Sequence, residues 1–249
     1  MTKLILLLTE YLSLKISKNA DLVFVNNIFI KEYLVRKGFE ESNIVITGNG
    51  IDQATIREFD SKRVVKIYDA CFCGALTVTK GVYDLVDVWR QVVTMHPEAK
   101  LVIIGDGAER DKIKSLIIKH SLTTNIDLLG YVTEETKYTT LMSSGLFLSC
   151  SLEEGWGIAL TEAIACGLPV VCYNLPAYNV FGEAIIRTRV GDRNSMAIKI
   201  CELLVNHKML DELKSKGKEL VNKFDWDDIS RNELEAINRI FWQRDLSSC

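Results

Sequence analysis

Proline is scarce, with three in 249 residues. No stretch is low in complexity either, so long disordered linkers are not expected. No run of about 18 uncharged apolar residues occurs, which argues against a spanning helix. Charge of one sign is not in excess: 30 Lys and Arg stand against 33 Asp and Glu, a formal net charge of -3. A general nucleic-acid binder usually carries a basic face, and that class of partner is set aside. Two familiar phosphate-binding patterns are absent as well, the Gly-x4-Gly-Lys-Ser/Thr loop and the dinucleotide Gly-x-Gly-x-x-Gly. The seven cysteines, at 71, 73, 150, 166, 172, 201 and 249, are odd in number and mostly lie inside apolar runs. Buried free thiols in a reducing compartment fit this better than a disulfide framework. Cys71 and Cys73 share a face of an apparent strand. No second Cys or His pair at ligand spacing follows, so a zinc site is the weaker reading there.

What is present is ordinary globular composition, 48% hydrophobic and 25% charged. The length suits one large domain or two modest ones with a real core. Leu4 to Leu8 is a short apolar run without a strongly basic start or a small-residue cleavage site, a poor signal peptide. It continues through Glu10 to Ile16 in the pattern of an amphipathic helix. Two readings stay open for it: a helix packed on a sheet, or one that also touches a membrane surface.

Residues 3–18 read as a helix, 22–25 as a strand, 27–37 as a helix ending at Gly38, and 44–46 as a strand. Gly48-Asn49-Gly50 is a natural boundary, and 52–66 shows no clear period and reads as connecting structure. A regular alternation follows. Strands are expected at 68–73, 100–104, 126–129, 146–148 and 169–172, with one more around 184–186. Helices are expected at 80–95, 108–120, 134–143 and 157–166. The strands are short and apolar on both faces, the signature of a parallel sheet covered on both sides. Right-handed crossovers then give a doubly wound, Rossmann-like α/β domain. Helices at 194–205, 207–222 and 226–243 end the chain.

In such a sheet, ligands bind beyond the C-terminal ends of the strands. The loop from Cys73 to Gly81 holds Gly74, which lets the backbone approach a ligand, and Lys80, which can reach a phosphate. By itself it is a phosphate site or a plain turn. Gly105-Asp106-Gly107 and Gly130-Tyr131-Val132 follow the next two strands; alone, the first is a tight turn with Asp106 near an N-cap and the second a loop. The most informative segment is Ser151 to Ala163. Gly155 and Gly157 flank Trp156 beside a helix start, where backbone N–H groups form an anion seat. Glu154 precedes that helix and Glu162 lies within it, either facing solvent or bonded to something specific. Carboxylates accept hydrogen bonds from sugar hydroxyls well.

At these residues the chain resembles the retaining GT-B glycosyltransferases of the large "glycosyl transferases group 1" family. That family carries two Glu separated by seven residues, within Glu-Gly-Phe-Gly…Glu-Ala. Here the stretch reads Glu154-Gly155-Trp156-Gly157-Ile158-Ala159-Leu160-Thr161-Glu162-Ala163. Ala165-Cys166-Gly167-Leu168-Pro169-Val170-Val171, Gly105-Asp106-Gly107, Leu129-Gly130-Tyr131-Val132, Asn49-Gly50-Ile51-Asp52 and Phe224-Asp225-Trp226 fall in the family's order. The resemblance spans roughly residues 18–242.

The resemblance implies transfer of a sugar from a UDP- or GDP-linked donor, with retention at the anomeric carbon. It implies that Glu154 contacts the donor sugar, with Lys80 the other catalytic group, neutralising the diphosphate. Glu162 would bond the ribose. Gly74 would lie under the phosphates, and Gly155, Trp156 and Gly157 would offer backbone amides. Gly105, Asp106, Gly107, Tyr131 and Val132 would border the nucleotide. No metal or cofactor beyond the donor is implied, since Arg and Lys stand in for one. The implied organisation is a remnant of the N-terminal GT-B domain at 1–48, a hinge at 49–66, the donor-binding domain at 67–225, and a crossover helix and tail at 226–249. Three departures matter. Ala75 stands where the family has Arg, and Arg110 or Lys137 are the candidates to replace that charge. The loop at 173–179 looks shortened, and Glu183 has no clear match. By the resemblance, most of the acceptor half is expected to lie outside these residues. A protein partner, an oligomer or that missing domain would then cover residues 1–46, and a membrane surface is the other contact left open. The implied location is cytoplasmic. The alternative to an active transferase is a nucleotide-sugar-binding subunit or an inactive donor domain.

Overall fold

The structure, a computed structural model, describes residues 2–60 and 65–247. The chain divides into two compact units, residues 1–50 with 224–249 and residues 51–223.

The larger unit is an all-parallel six-stranded sheet wrapped by helices. Its strands are β3 (Tyr68–Cys73), β4 (Leu101–Ile104), β5 (Ile126–Gly130), β6 (Ser144–Ser149), β7 (Val170–Tyr173) and β8 (Ile185–Thr188). They lie in the order β5-β4-β3-β6-β7-β8. That is the Rossmann order, three strands wound one way from the middle and three the other. All four residues of β4 and of β7 are buried, as expected where helices cover both faces. Between the strands run α4 (Val82–Met95), α5 (Arg110–Lys119), α6 (Glu134–Met142) and α7 (Ile158–Ala165). Helix α4 shows why the pattern folds. Val82, Leu85, Val86, Trp89 and Val92 recur at helical spacing, and all are buried. Trp89 also donates its indole N–H to the carbonyl of Asn125 at 3.1 Å, so burial leaves no orphan donor. Helices α8 (Arg193–Val205) and α9 (His207–Val221) close this unit.

Residues 52–66, expected as connecting structure, contain helix α3 (Gln53–Asp60). It packs on α6 and α7. Gln53 is buried and its side-chain amide donates to the Val221 carbonyl at 2.8 Å. One long-range hydrogen bond and the buried Ile56 hold a helix too short to stand out by periodicity. The stretch at 173–179 is not an open loop either. After β7 the chain enters a 3-10 stretch, Pro176–Ala184, that buries Ala177, Tyr178 and Phe181. The helix expected from residue 80 begins at Val82, because a 3-10 turn (Val78–Lys80) and a left-handed Gly81 precede it.

The smaller unit contains α1 (Thr2–Ser17), β1 (Val23–Val25), α2 (Ile28–Arg36), β2 (Ile44–Ile46) and α10 (Trp226–Ser247). Strands β1 and β2 form a parallel pair. Val25, Leu34, Phe39 and Ile44 make a small core, with Leu14 and Tyr33 against it. Asn27 caps α2 through its side chain, accepting from the N–H of Ile30 at 2.9 Å. Tyr11, Leu12 and Ile16 on α1 are exposed. The side chains of Leu4 to Leu8 lie outside the described residues.

Candidate functional site

The strand order reverses between β3 and β6, and there the loops after the two strands part to opposite sides of the sheet. Such a crevice is where an open parallel sheet receives a ligand. The loops are held by backbone bonds. Leu152 N–H donates to Thr79 at 2.8 Å, joining the loop after β6 to the loop after β3. Leu76 N–H donates to Asp106 at 2.9 Å and Gly105 N–H to Gly130 at 2.8 Å, joining the loops after β3, β4 and β5. Two glycines make these approaches fit. A Cβ on Gly81, whose φ is +65°, would sit 1.8 Å from the Cys150 carbonyl oxygen. A Cβ on Gly105, at φ +134°, would sit 1.9 Å from that of Gly74. At Gly74 itself a Cβ would meet only the Phe72 ring, at 3.3 Å.

Two Lys–Glu pairs face this crevice. Lys80 Nζ lies 2.5 Å from Glu154 Oε2, with side chains 30% and 18% exposed. The pair links the loop after β3 to the loop after β6. Lys137 Nζ lies 2.8 Å from Glu162 Oε1, with side chains 18% and 13% exposed. The same oxygen accepts from the Tyr138 hydroxyl at 3.0 Å, and the Lys137 ammonium lies over the Tyr138 ring at 4.3 Å. Glu162 is therefore bonded within the protein rather than turned to solvent. Burial by itself would pull the Lys137 ammonium down, but the Glu162 carboxylate outweighs it and holds the charge above the usual lysine range. Burial, with Glu162 adding to it, pushes the Tyr138 hydroxyl up to about 12.

A cavity of about 410 Å³ opens at the ends of β3, β4 and β5. Gly74, Ala75, Gly105, Tyr131, Val132 and Lys137 line it, with Cys73, Ile104, Asp106 and Glu134. Tyr131 is 89% exposed at its edge. The lining combines apolar residues such as Ile104 and Val132 with the charged Asp106, Glu134 and Lys137, which suits a flat heterocycle with a charged tail. Burial pushes the Cys73 thiol up to about 11; Glu162 adds to this and Lys137 opposes it. Cys71 is buried and donates to the Leu146 carbonyl at 3.3 Å. Among the described residues no three His, Cys, Asp or Glu side chains gather as metal ligands.

The structure thus brings Gly74, Gly105, Asp106, Tyr131 and Val132 to one cavity, and Lys80 and Glu154 to the crevice. Asp106 is not an N-cap; that place belongs to Glu109. Asp106 instead accepts from Gly107 N–H at 2.7 Å and Arg110 at 2.8 Å, which hold its carboxyl below the usual range. Arg110 is therefore engaged at the Asp106 carboxylate, and of the two candidates to replace the charge at Ala75 it is Lys137 that lines the cavity. Gly157 precedes α7 and Gly155 lies in the same loop. The Trp156 side chain is buried against Phe181, ring centroids 6.1 Å apart, so only its backbone remains to serve a ligand. Tyr138 and Glu134 join the site without a motif that marks them. The usable signal is their place in the first turns of α6, just after Gly130-Tyr131-Val132.

The profile of the family described as "Glycosyl transferases group 1" matches residues 52–220. The phosphatidylinositol N-acetylglucosaminyltransferase gpi3 subunit of Schizosaccharomyces pombe is 23% identical over 175 residues, covering 69% of this chain and 38% of that protein. The poly(ribitol-phosphate) alpha-N-acetylglucosaminyltransferase of Staphylococcus aureus is 30% identical over 232 residues, covering 84% of this chain and 46% of that protein. Among solved structures, the pneumococcal O-GlcNAc transferase GtfA in complex with UDP and GlcNAc superposes with a TM-score of 0.79 at 20% identity, over 92% of this chain and 47% of that one. That likeness speaks to the fold. The chain spans less than half the length of these three proteins.

Proposed function

Because the chain belongs to the glycosyl transferases group 1 family, we propose that it carries the donor side of a sugar transfer from a UDP- or GDP-linked sugar, with retention at the anomeric carbon. The observation that carries this reading is the Lys80–Glu154 pair across the sheet's switch point, 2.5 Å apart on two loops. The donor's nucleoside would lie in the cavity beside Tyr131 and Val132, its ribose near Glu162. The diphosphate would lie over Gly74 towards Lys80, and the sugar at Glu154 and the amides of residues 155–157. In transfer the bond between the anomeric carbon and the diphosphate oxygen breaks, and its electron pair leaves with the diphosphate. A new bond forms to an acceptor hydroxyl, whose proton passes to the departing diphosphate. Lys80 stabilises the charge that develops on the leaving group, and Glu154 holds the sugar hydroxyls in place.

In this reading residues 67–225 carry the donor site, with helix α3 of the 49–66 segment packed on the same unit, residues 1–48 belong to the acceptor side, and 226–249 are a crossover helix and tail. In a second reading the chain is a nucleotide-sugar-binding subunit that works with a partner. Ala75 supports it, as does a relative whose own name calls it a subunit. Exposed Tyr11, Leu12, Ile16, Ile28 and Ile30 suit a protein or membrane surface against the small unit. No helix of the described residues is long and apolar enough to cross a membrane. The free thiols at six described cysteines support a cytoplasmic setting.

The test is calorimetric titration of UDP, GDP and their sugar conjugates, with and without magnesium, into the chain and its Glu154→Ala and Lys80→Ala variants. One base should be preferred. Lys80→Ala should weaken diphosphate binding, and Glu154→Ala should erase the gain from the sugar. A folded chain that binds none of them contradicts the reading.

A further inference from the structure

The donor-site reading leaves Lys137 as no more than a candidate for the charge missing at Ala75. Its ammonium lies where the crevice and the cavity meet. It lines the cavity with Gly74 and Ala75, and it is tied to Glu162 on α7, beyond the end of β6. Cys73, the last residue of β3, feels both charges. Lys137 therefore stands beside the loop over which an anion at the switch point must pass.

The charges around that path make its role specific. Among the described residues that line the cavity, Lys137 is the cation and Asp106 and Glu134 are the carboxylates. Arg110 is drawn to Asp106 at 2.8 Å, and Lys80, further along the loop that holds Gly74 and Ala75, is paired with Glu154 and does not line the cavity. Ala75 offers the ligand no charge at all. A diphosphate entering without Lys137 would meet carboxylates on its nucleoside side, a repulsion that low local dielectric enlarges. An ammonium has three donors, and Glu162 takes one of them. The pair can stay closed while the ammonium takes a phosphate oxygen.

We propose that Lys137 is the second diphosphate cation of the donor site, meeting the phosphates from the cavity while Lys80 meets them from the crevice beside Glu154. This rests on the donor-site reading and adds to it a binding residue outside the segments that carry the family resemblance at the phosphates.

The experiment compares a nucleoside with its diphosphate. Uridine and UDP, or guanosine and GDP, are titrated into the full chain and into Lys137→Met, Lys137→Gln and Lys137→Arg, with thermal melting to confirm folding. Either uncharged variant should weaken the diphosphate about ten- to hundredfold, the effect of losing one charge-assisted bond, and leave the nucleoside nearly unchanged. Lys137→Arg should keep most of the affinity. Ala75→Arg placed in the Lys137→Met chain should restore diphosphate binding, because it supplies the charge from the neighbouring position. Equal losses for nucleoside and diphosphate would overturn the proposal and leave Lys137 as a residue that positions Glu162. Undiminished diphosphate binding would overturn it too. If the unaltered chain binds neither diphosphate, the donor-site reading itself fails, and this inference with it.

Discussion

The Lys80–Glu154 and Lys137–Glu162 pairs are the same chemistry placed on two sides of one sheet end, and their surroundings separate them. The first joins two loops, and its lysine is 30% exposed. The second joins two helices, shares its carboxylate with Tyr138, and is the more enclosed of the two. An ion pair between loops can open to a ligand at little cost to the fold. One braced by a third group resists opening, so it contributes more to stability and stays closed while Lys137 turns its remaining donors to a ligand.

Removing the support beneath each pair should have the largest effect. Gly81→Ala places a Cβ against the Cys150 carbonyl beside Lys80, and Gly105→Ala does the same to Gly74 under the cavity. Each should lose about 3 kcal/mol or more in chemical denaturation, from left-handed strain and overlap together. If either melts like the unaltered protein, the loops are not locked as described. Next come the carboxylates. Glu162→Ala strands an enclosed ammonium and should cost about 1–3 kcal/mol, whereas Glu154→Ala should cost about 1 kcal/mol or less. For discrimination between a nucleotide sugar and its free nucleotide the ranking should invert, with Glu154→Ala the more damaging. A shared ranking in both measurements would erase the distinction between the pairs. Tyr138→Phe removes one hydrogen bond to Glu162 and should cost about 1 kcal/mol.

A different readout is pH. Folding raises the Cys73 thiol from 9.0 to about 11 and Cys172 to about 12, both chiefly by burial. A group raised on folding contributes stability that is whole below its unfolded value and is lost as pH climbs through its folded value. The denaturant midpoint should therefore begin to fall above about pH 9. Glu162→Gln should bring Cys73 below about 11, seen as alkylation at lower pH, because the Glu162 carboxylate raises that thiol. Glu154→Gln should leave the Cys73 alkylation profile in place, and a shift in both variants would mean that the two carboxylates are not separate in their fields.

Most of the sheet is legible in the sequence because its strands are apolar on both faces and its helices carry a clear stripe. Tyr68–Cys73 has the boundaries that the pattern of residues predicts. Helix α3 is not legible, since Gln53 holds it through a bond to Val221, a partner far along the chain. The turn before α4 is hidden for a like reason, as Gly81 answers to Cys150 on another loop. Within the site, Lys80, Glu154 and Glu162 are marked by their motifs. That the carboxylates and lysines pair crosswise is not, because pairing depends on which strands neighbour one another, and strand order is not written in local sequence. Asp106 is a different case, a local one: it turns to its neighbour Gly107 and to Arg110 four residues on rather than to a helix cap.

The decisive measurement is a crystal structure of the chain with whichever of UDP or GDP binds. Phosphate oxygens are expected within hydrogen-bond reach of both Lys80 and Lys137, above Gly74, with the base in the cavity beside Tyr131. A nucleotide bound elsewhere, or one whose phosphates avoid both lysines, would overturn the assignment of this crevice as the donor site.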